Sequence, residues 1–153
     1  MRNGKLVTLT PEEEAAFLEG RKVTLPKLID QISNKRWEVE TGGIDVNGFA
    51  IRTDRDSQSL IHGAYSRALR LGGSTDVPGE WDEVFLTKPE GVTVVTFFTA
   101  TGPVYFTPNQ MCDVAAAVAD HVQACFDRQD ELIKAALVLT DEQLQTFDVD
   151  TEW

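Results

Sequence analysis

The sequence has little of the chemistry that catalytic and metal sites use. Its 153 residues include two histidines, His62 and His121, and two cysteines, Cys112 and Cys125. A nucleophilic side chain needs a neighbouring base and a group that orients that base. A structural zinc ion needs about four nitrogen or sulfur ligands, which closely spaced Cys or His pairs commonly supply. The sequence contains no short Cys-x-x-Cys or His-x-x-x-His pair. We therefore predict no metal site, no cofactor and no enzymatic activity.

Both cysteines fall on one predicted helix, about 20 Å apart along its axis. A disulfide cannot span that distance, so we predict two reduced, buried thiols. His121 precedes Cys125 by one helical turn and would lie beside it on the helix surface. A reactive thiolate requires exposure, whereas the apolar neighbours of both residues predict burial.

Basic residues are also few. The chain has 14 Lys and Arg against 25 Asp and Glu, a formal net charge of −11. No basic cluster is available to neutralise phosphates, so we do not expect a nucleic-acid partner. No apolar run reaches the roughly 18 residues that span a bilayer, and the N-terminus lacks the apolar stretch of a signal peptide. We expect a cytosolic product with no membrane partner.

The abundant acids do not form a recognisable ligand motif. Asp54-x-Asp56-x-Gln58 resembles the start of a calcium loop, but the positions that require glycine and glutamate are occupied by Ser59 and Tyr65. Chance carboxylate pairs suited to glycoside hydrolysis are easy to find among so many acids, and no feature selects two of them. We interpret Asp54 and Asp56 as helix caps.

Helix-start signals mark most of the secondary structure. Thr107-Pro108-Asn109-Gln110 combines an N-cap hydroxyl, a proline at the first helical position and a glutamine at the third, which is typical of a capping box. It opens the longest predicted helix, which ends at about Leu139. Other helices are predicted from Thr10 to about Glu19, from Pro26 to about Trp37, from Asp54 to about Leu71, and for a short stretch after Thr140.

Asn47-Gly48 is the clearest turn signal, because a two-residue type I′ loop needs positive φ at both positions. It pairs Val46 with Phe49 and Ile44 with Ile51 on one face of a hairpin. Further strand-like runs lie at 84–86, 92–99 and 104–106. The predicted fold class is α+β, with a small antiparallel sheet of hairpins packed against helices and one long C-terminal helix.

We divide the chain into an N-terminal arm with helices (1–32), a core α+β domain (33–138) and an acidic C-terminal segment (139–153). The long helix is apolar on two sides. This indicates packing between the sheet and another helix, or a subunit interface on part of its surface.

Terminal arms contact neighbours easily because few internal contacts restrain them. The candidate interface residues are Leu6, Val7, Asp148, Asp150, Glu152 and Trp153. We expect deletion of residues 1–9 or 147–153 to weaken assembly without unfolding the monomer. A tryptophan at the last position is unusual for a disordered tail, so we also expect Trp153 to dock.

Blocks of this sequence resemble a phage-encoded family known only as domain of unknown function 4376. The blocks are Lys35 to Ile44, Asn47-Gly48, Thr53 to Gln58, and Ala116 to Phe126. The resemblance extends over about residues 33–138, with a looser match in the acidic end. The loop at about 72–88 departs from it by being longer. No catalytic residues come with the resemblance.

The resemblance implies a bacteriophage tail protein, because such proteins look like products of tail-gene neighbourhoods beside tail-fibre genes. We expect a non-enzymatic structural component of the fibre or baseplate, present in symmetric copies and bound to other tail proteins. It would reside in the host cytoplasm during assembly and then in the virion tail. A tail-fibre assembly chaperone absent from the mature virion is the alternative, and an acidic anti-defence mimic of DNA is a further one.

Overall fold

Each helix begins at a side chain that caps its first turn. In this computed structural model, which describes residues 8–151 and 153, every helix follows a threonine or aspartate that accepts a backbone N–H from three residues later. The caps are Thr10, Thr24, Asp54, Thr107 and Thr140. The helices are α1 (Pro11–Arg21), α2 (Leu25–Glu40), α3 (Arg55–Arg70), α4 (Pro108–Leu137) and α5 (Asp141–Leu144).

α2 is longer than the sequence predicts. It begins at Leu25, directly after its Thr24 cap, and continues past Trp37 to Glu40. It therefore passes without interruption through residue 32, where we placed the end of the N-terminal part. The chain then turns at Gly43, whose φ of 90° favours glycine.

The first hairpin forms in the predicted register. β1 (Ile44–Val46) pairs with β2 (Phe49–Ile51), with Ile44 opposite Ile51 and Val46 opposite Phe49. The turn residues Asn47 and Gly48 have φ of 50° and 89°, as a type I′ loop requires. This confirms the turn that Asn47-Gly48 predicts.

The second hairpin differs in part from the prediction. β3 (Val95–Thr99) starts later than residue 92, and β4 is Gly102–Phe106. The predicted strand at 84–86 is wrong, because Phe85 forms only an isolated bridge to Tyr105. The described residues thus form two separate two-stranded sheets, joined by a hydrogen bond of 3.0 Å from Ala100 N–H to the Ala50 carbonyl. The fold class is α+β, as predicted.

The run at 84–86 does not join a sheet because the loop around it is held by the start of α4. Gln110, fully buried, donates its amide to the carbonyls of Glu80 (2.6 Å) and Glu83 (2.9 Å). Asp113 accepts the Gly79 N–H at 2.8 Å and the Trp81 indole N–H at 2.9 Å. The side chains of Gln110 and Asp113 thus supply hydrogen-bond partners for backbone N–H and carbonyl groups of the loop, which would otherwise need partners in a neighbouring strand.

Two apolar clusters lie along α4. The first is built from both hairpins, α3 and the first half of α4, and Phe106 at its centre contacts the rings of Phe49, Trp81 and Phe97. The second joins Leu28 and Ile32 of α2 to Leu132 and Ala136 of α4 and to Leu144 of α5. The two-sided apolar surface of the long helix is thus used for internal packing against both α2 and α3. Within the described residues, no helix is long and apolar enough to cross a membrane.

The closing segment (residues 147–151 and 153) packs on the second cluster and is not a loose arm. Phe147, Val149 and Trp153 all contact this cluster, and the Trp153 indole donates to the Val149 carbonyl at 2.6 Å. Lys35 forms an ion pair with Asp150 at 3.3 Å. The docking predicted for Trp153 is confirmed. Deletion of 147–153 would uncover part of this cluster, so this packing argues against the expectation that the deletion leaves the monomer intact.

Replacement of Trp153 by alanine should destabilise the monomer. Truncation of a fully buried tryptophan costs about 3–5 kcal/mol, and Trp153 is only partly buried, so we expect a loss of about 2 kcal/mol. Urea denaturation followed by circular dichroism measures this loss. Val138→Ala is the control, because Val138 is 82% exposed. Equal stability of Trp153→Ala and wild type would show that the segment contributes nothing to the fold.

Candidate functional site

The most tightly built polar site in the described residues surrounds the carboxylate of Glu40, the last residue of α2. Glu40 is fully buried. Arg36, one turn earlier, donates Nη1 to Oε1 at 2.7 Å. From the start of α3, Arg55 places Nε at 2.9 Å from Oε2 and Nη2 at 3.0 Å from Oε1. Gln58 donates its amide to Oε2 at 3.0 Å. Two guanidinium groups and one amide therefore surround this carboxylate.

The backbone beside Glu40 is held by a second set of bonds. The buried Thr53 hydroxyl donates to the Glu40 carbonyl at 2.6 Å and accepts the Gly43 N–H at 2.9 Å. The Gln58 amide also donates to the Thr53 carbonyl at 2.7 Å. The end of α2, the entry to the first hairpin and its exit into α3 thus meet at one point.

His121 closes the same helix end from α4. Its Nε2 lies 3.1 Å from the Val39 carbonyl and 3.2 Å from the Glu40 carbonyl. Since a carbonyl oxygen only accepts hydrogen bonds, Nε2 must carry a proton and donate it there. His121 therefore adds a donor to two carbonyls at the end of α2, which also accept the Gly42 N–H and the Thr53 hydroxyl.

The neighbouring thiol is not arranged as a nucleophile. The Cys125 sulfur lies 4.0 Å from His121 Nε2, but a protonated Nε2 cannot accept the thiol proton. Burial raises the pKa of Cys125 above its ordinary value, and burial likewise raises the pKa of Cys112. Both cysteines are free and buried, which confirms the predicted burial of the two thiols in the core. No group of three or more His, Cys, Asp or Glu side chains in the described part of the chain is placed to hold a metal ion.

The outer side of the Glu40 site is an aromatic surface, which we call the Trp37 surface (Trp37, Arg55 and Phe126). Trp37 is 48% exposed and Phe126 is 38% exposed. The Arg55 guanidinium carbon lies 5.0 Å from the Trp37 ring, and that of Arg36 lies 4.5 Å from the Phe126 ring. The buried Glu40 carboxylate fixes both guanidinium groups on their inner side. Arg55 and the rings of Trp37 and Phe126 that the two groups contact are therefore held in place.

A groove of about 500 Å³ lies next to this site, between α3 and α4. Ile61, Val118 and Val122 contribute its apolar walls, and Gln58 connects it with the Glu40 carboxylate. We call it the α3–α4 groove. Its lining includes His62 but no Asp or Glu.

Of the predicted turn and cap residues, all but Asp56 take the predicted role. Asn47 and Gly48 form the hairpin turn. Thr107 caps α4, with Pro108 at the first helical position. Asp54 is the N-cap of α3. Asp56 is not a cap but lies in the first turn of that helix, where a negative charge is favourable.

The predicted interface residues are not brought together at the Glu40 site. Asp148 accepts hydrogen bonds from the Asp150 N–H and the Thr151 hydroxyl, so it closes a turn within the closing segment. Asp150 is exposed and paired with Lys35, and Trp153 packs on the second cluster. Leu6, Val7 and Glu152 lie outside the described residues.

Sequence reasoning missed Glu40 and its partners. Arg36 and Glu40 are one helical turn apart, a spacing that permits an ion pair. On an isolated helix this spacing indicates an ordinary surface pair. Arg55 and Gln58 come from another helix, and no local pattern connects them with Glu40.

Comparison with known proteins gives one match. A family model described as a domain of unknown function, DUF4376, matches residues 25–151. No curated protein and no solved structure matches the chain. The matched range excludes α1 and includes α2 to α5. The sequence blocks that carry the resemblance to this family contain Arg36, Glu40, Arg55 and His121, which the fold gathers around one carboxylate.

Replacement of Glu40 by alanine should destabilise the protein strongly. It would leave Arg36, which is 14% exposed, and Gln58 without their acceptor, and loss of one member of a buried ion pair costs about 3–5 kcal/mol. Glu38→Ala is the matched control on the same helix. Glu38 is 73% exposed and pairs with Lys35, so we expect less than about 1 kcal/mol. Chemical denaturation measures both, and similar losses would contradict a special role for Glu40.

Asp54 should make the free energy of unfolding depend on pH in the acidic range. Hydrogen bonds from the Ser57 N–H (2.9 Å) and hydroxyl (2.8 Å) hold the pKa of the Asp54 carboxyl below its ordinary 3.8. A lowered folded-state pKa stabilises the fold above the unfolded pKa, and this stabilisation is lost as pH falls below 3.8. Asp54→Asn retains a cap but does not titrate. We expect the unfolding free energy of the wild type to fall more steeply with acid than that of the variant; parallel pH profiles would refute this.

Proposed function

The chain belongs to the DUF4376 family, and from this premise we propose that it is a non-enzymatic structural component of a bacteriophage tail. Its partners would be fibre or baseplate proteins and further copies of itself. It would be made in the host cytoplasm and then incorporated into the virion tail. The resemblance of its sequence blocks to this family, which we infer to be phage-encoded, supports the tail assignment.

The chemistry of the Glu40 site supports a contact role. The carboxylate of Glu40 is surrounded by Arg36, Arg55 and Gln58, and the proton of His121 Nε2 is donated to carbonyls. General acid–base catalysis needs a group that can exchange a proton with a substrate. These groups are instead used to join α2, α3 and α4.

The Trp37 surface has the composition of a binding hot spot. Tryptophan and arginine dominate the energetically important centres of protein interfaces. Here the ion pair with Glu40 and the Trp37 ring restrict Arg55 before any partner binds. Pre-organisation lowers the entropy cost of association. A partner with a carboxylate beside an apolar side chain would complement the half-exposed Arg55 and its neighbouring rings.

A tail-fibre assembly chaperone is the second candidate, and the α3–α4 groove supports it. A chaperone of this kind would hold an apolar fibre segment in a groove, and the net charge of −11 would keep the complex soluble. The two candidates differ in where the protein is found after assembly.

Mass spectrometry of purified virions tests the proposal. A structural component should be present in particles at a fixed ratio to the fibre or baseplate proteins. Virions from a strain that lacks the gene should have incomplete tails, and co-expression with the fibre product shows whether fibre folding requires this protein. Absence from particles combined with a need in fibre folding would establish the chaperone. Absence combined with normal tails would exclude both candidates.

Trp37→Ala should weaken binding to tail partners. Loss of a hot-spot side chain costs at least about 2 kcal/mol, roughly a thirtyfold loss of affinity. Leu86→Ala is the matched control, because Leu86 is also an exposed apolar residue but lies in the loop beside β4. Pull-down of tail proteins followed by titration measures both variants, with circular dichroism as a check of folding. Equal binding by the two variants would exclude the Trp37 surface as the contact.

A further inference from the structure

The outer edge of β3 carries backbone groups that have no partner strand. In an antiparallel pair, alternate residues direct their N–H and C=O groups to the partner, and the residues between them direct theirs to the opposite edge. Tyr105 of β4 donates its N–H away from β3, to the Phe85 carbonyl at 2.9 Å. Thr96 lies opposite Tyr105, so Thr96, and Phe98 two residues later, direct their backbone groups to the outer edge. Among the described residues, no backbone hydrogen bond from outside the hairpin reaches these groups.

The other edge of the same hairpin is closed. Pro103 of β4, opposite Phe98, has no N–H, and Tyr105 is already bonded outside the hairpin. Proteins protect sheet edges with prolines, charges or covering segments, because an open edge pairs readily with another chain. β3 has the sequence VTFFT, with no proline and no charge. β2 bonds this edge at Ala100, just beyond β3, and leaves Thr96 and Phe98 open.

A groove of about 180 Å³ lies beside this edge, and we call it the β3 groove. It is lined by Leu60 and Ala64 of α3 and by Thr96 and Phe98 of β3. Leu60 is 70% exposed and Phe98 is 71% exposed. The β3 groove is smaller than the roughly 300–1,000 Å³ of small-molecule pockets. It therefore suits one apolar side chain of a peptide that lies along the strand edge.

Arg52 also lines the β3 groove and supplies a positive charge there. It is exposed and forms no ion pair or hydrogen bond with another described residue. Its charge helps to lower the pKa of the Asp54 carboxyl, but that carboxylate is bonded to Ser57. Because the lining of the groove contains no Asp or Glu, a carboxylate of a partner would meet a cation there and no like charge.

We propose that the β3 groove binds an extended segment of a partner protein, which adds to β3 as a further strand. The segment would bond the open backbone groups of Thr96 and Phe98, place an apolar side chain against Leu60 and Phe98, and place a carboxylate on Arg52. In strand addition, main-chain hydrogen bonds supply affinity and side-chain pockets supply specificity. This inference does not rest on the tail assignment, and the β3 groove shares no residue with the Trp37 surface.

Amide hydrogen exchange of the free full chain, followed by NMR, tests whether the edge is open. The N–H groups of Thr96 and Phe98 should exchange faster than that of Phe97, which lies between them and faces β4. Equal protection of all three in dilute protein would overturn the proposal. Protection that appears only at concentrations where sedimentation shows a dimer would assign the edge to a second copy, and would also overturn it.

Selection from a displayed library of random eight-residue peptides tests the partner chemistry. Peptides that bind should combine alternating β-branched or aromatic residues with an acidic residue. Addition of a selected synthetic peptide should slow exchange at Thr96 and Phe98 and leave Phe97 unchanged, because only the outer edge gains hydrogen bonds. A library that yields no binder, or binders that leave exchange at Thr96 and Phe98 unchanged, would refute strand addition.

Two variants test the side-chain contacts with the selected peptide. Arg52→Gln and Phe98→Ser should each weaken binding at least about tenfold. The matched controls are Arg67→Gln, an exposed arginine of α3 outside the groove lining, and Leu86→Ser, an exposed apolar residue in the loop. Both controls should bind like the wild type, and circular dichroism checks the folding of all four. Equal losses in variants and controls would exclude the β3 groove.

A double-mutant cycle tests the ion pair itself. Replacement of the acidic residue of the peptide by its amide should weaken binding to the wild type about tenfold and should have little further effect on Arg52→Gln. Losses that simply add would show that the carboxylate does not contact Arg52, and the proposed partner chemistry would be wrong.

Discussion

Burial of the Glu40 carboxylate imposes the main physical constraint on this fold. A carboxylate removed from water costs several kcal/mol unless charged and hydrogen-bonding partners replace the solvent. Those partners come from α2 itself and from the start of α3, while His121 of α4 satisfies the carbonyl of the same residue. The ion pairs fix how α2 meets α3, because a small shift of either would leave a buried charge unpaired. The hydrogen bond from His121 attaches α4 at the same point.

The buried Glu40 carboxylate also determines how the Trp37 surface is arranged. Arg36 and Arg55 each use one side of the guanidinium for Glu40 and present a face to an aromatic ring. An otherwise acidic molecule therefore presents cations and rings in a fixed arrangement at one place. Rigid aromatic and arginine side chains suit recognition of another protein more than turnover of a small molecule, in keeping with the contact role proposed for this family member.

Local sequence signals predict most of the helices and the first hairpin. They do not predict contacts between residues that are far apart in the sequence. Thr107 and Asp54 indicate where their helices begin, because the hydrogen bond of an N-cap involves only four consecutive residues. Asn47-Gly48 predicts its hairpin for the same reason. Glu40 looks like one of many surface acids, since its burial depends on Arg55 and Gln58, which follow after a hairpin. The failed strand at 84–86 has the same cause, because Gln110 and Asp113 of α4 determine the path of that loop.

The way α4 holds the loop before β3 has a consequence for how the protein can evolve. Gln110 binds the main-chain carbonyls of Glu80 and Glu83, Asn109 accepts the Ser74 N–H, and Asp113 accepts the Gly79 N–H. These anchors recognise backbone atoms that most amino acids share. Some positions of the loop are constrained. A Cβ would come within 2.8 Å of the Pro108 carbonyl at Gly73 and within 2.9 Å of Gln110 N at Gly79, Gly72 and Gly91 have positive φ, and Trp81 bonds Asp113. Elsewhere the loop can exchange its outward side chains while its path is preserved. It offers related proteins a stretch of surface on which new specificity can arise without redesign of the core.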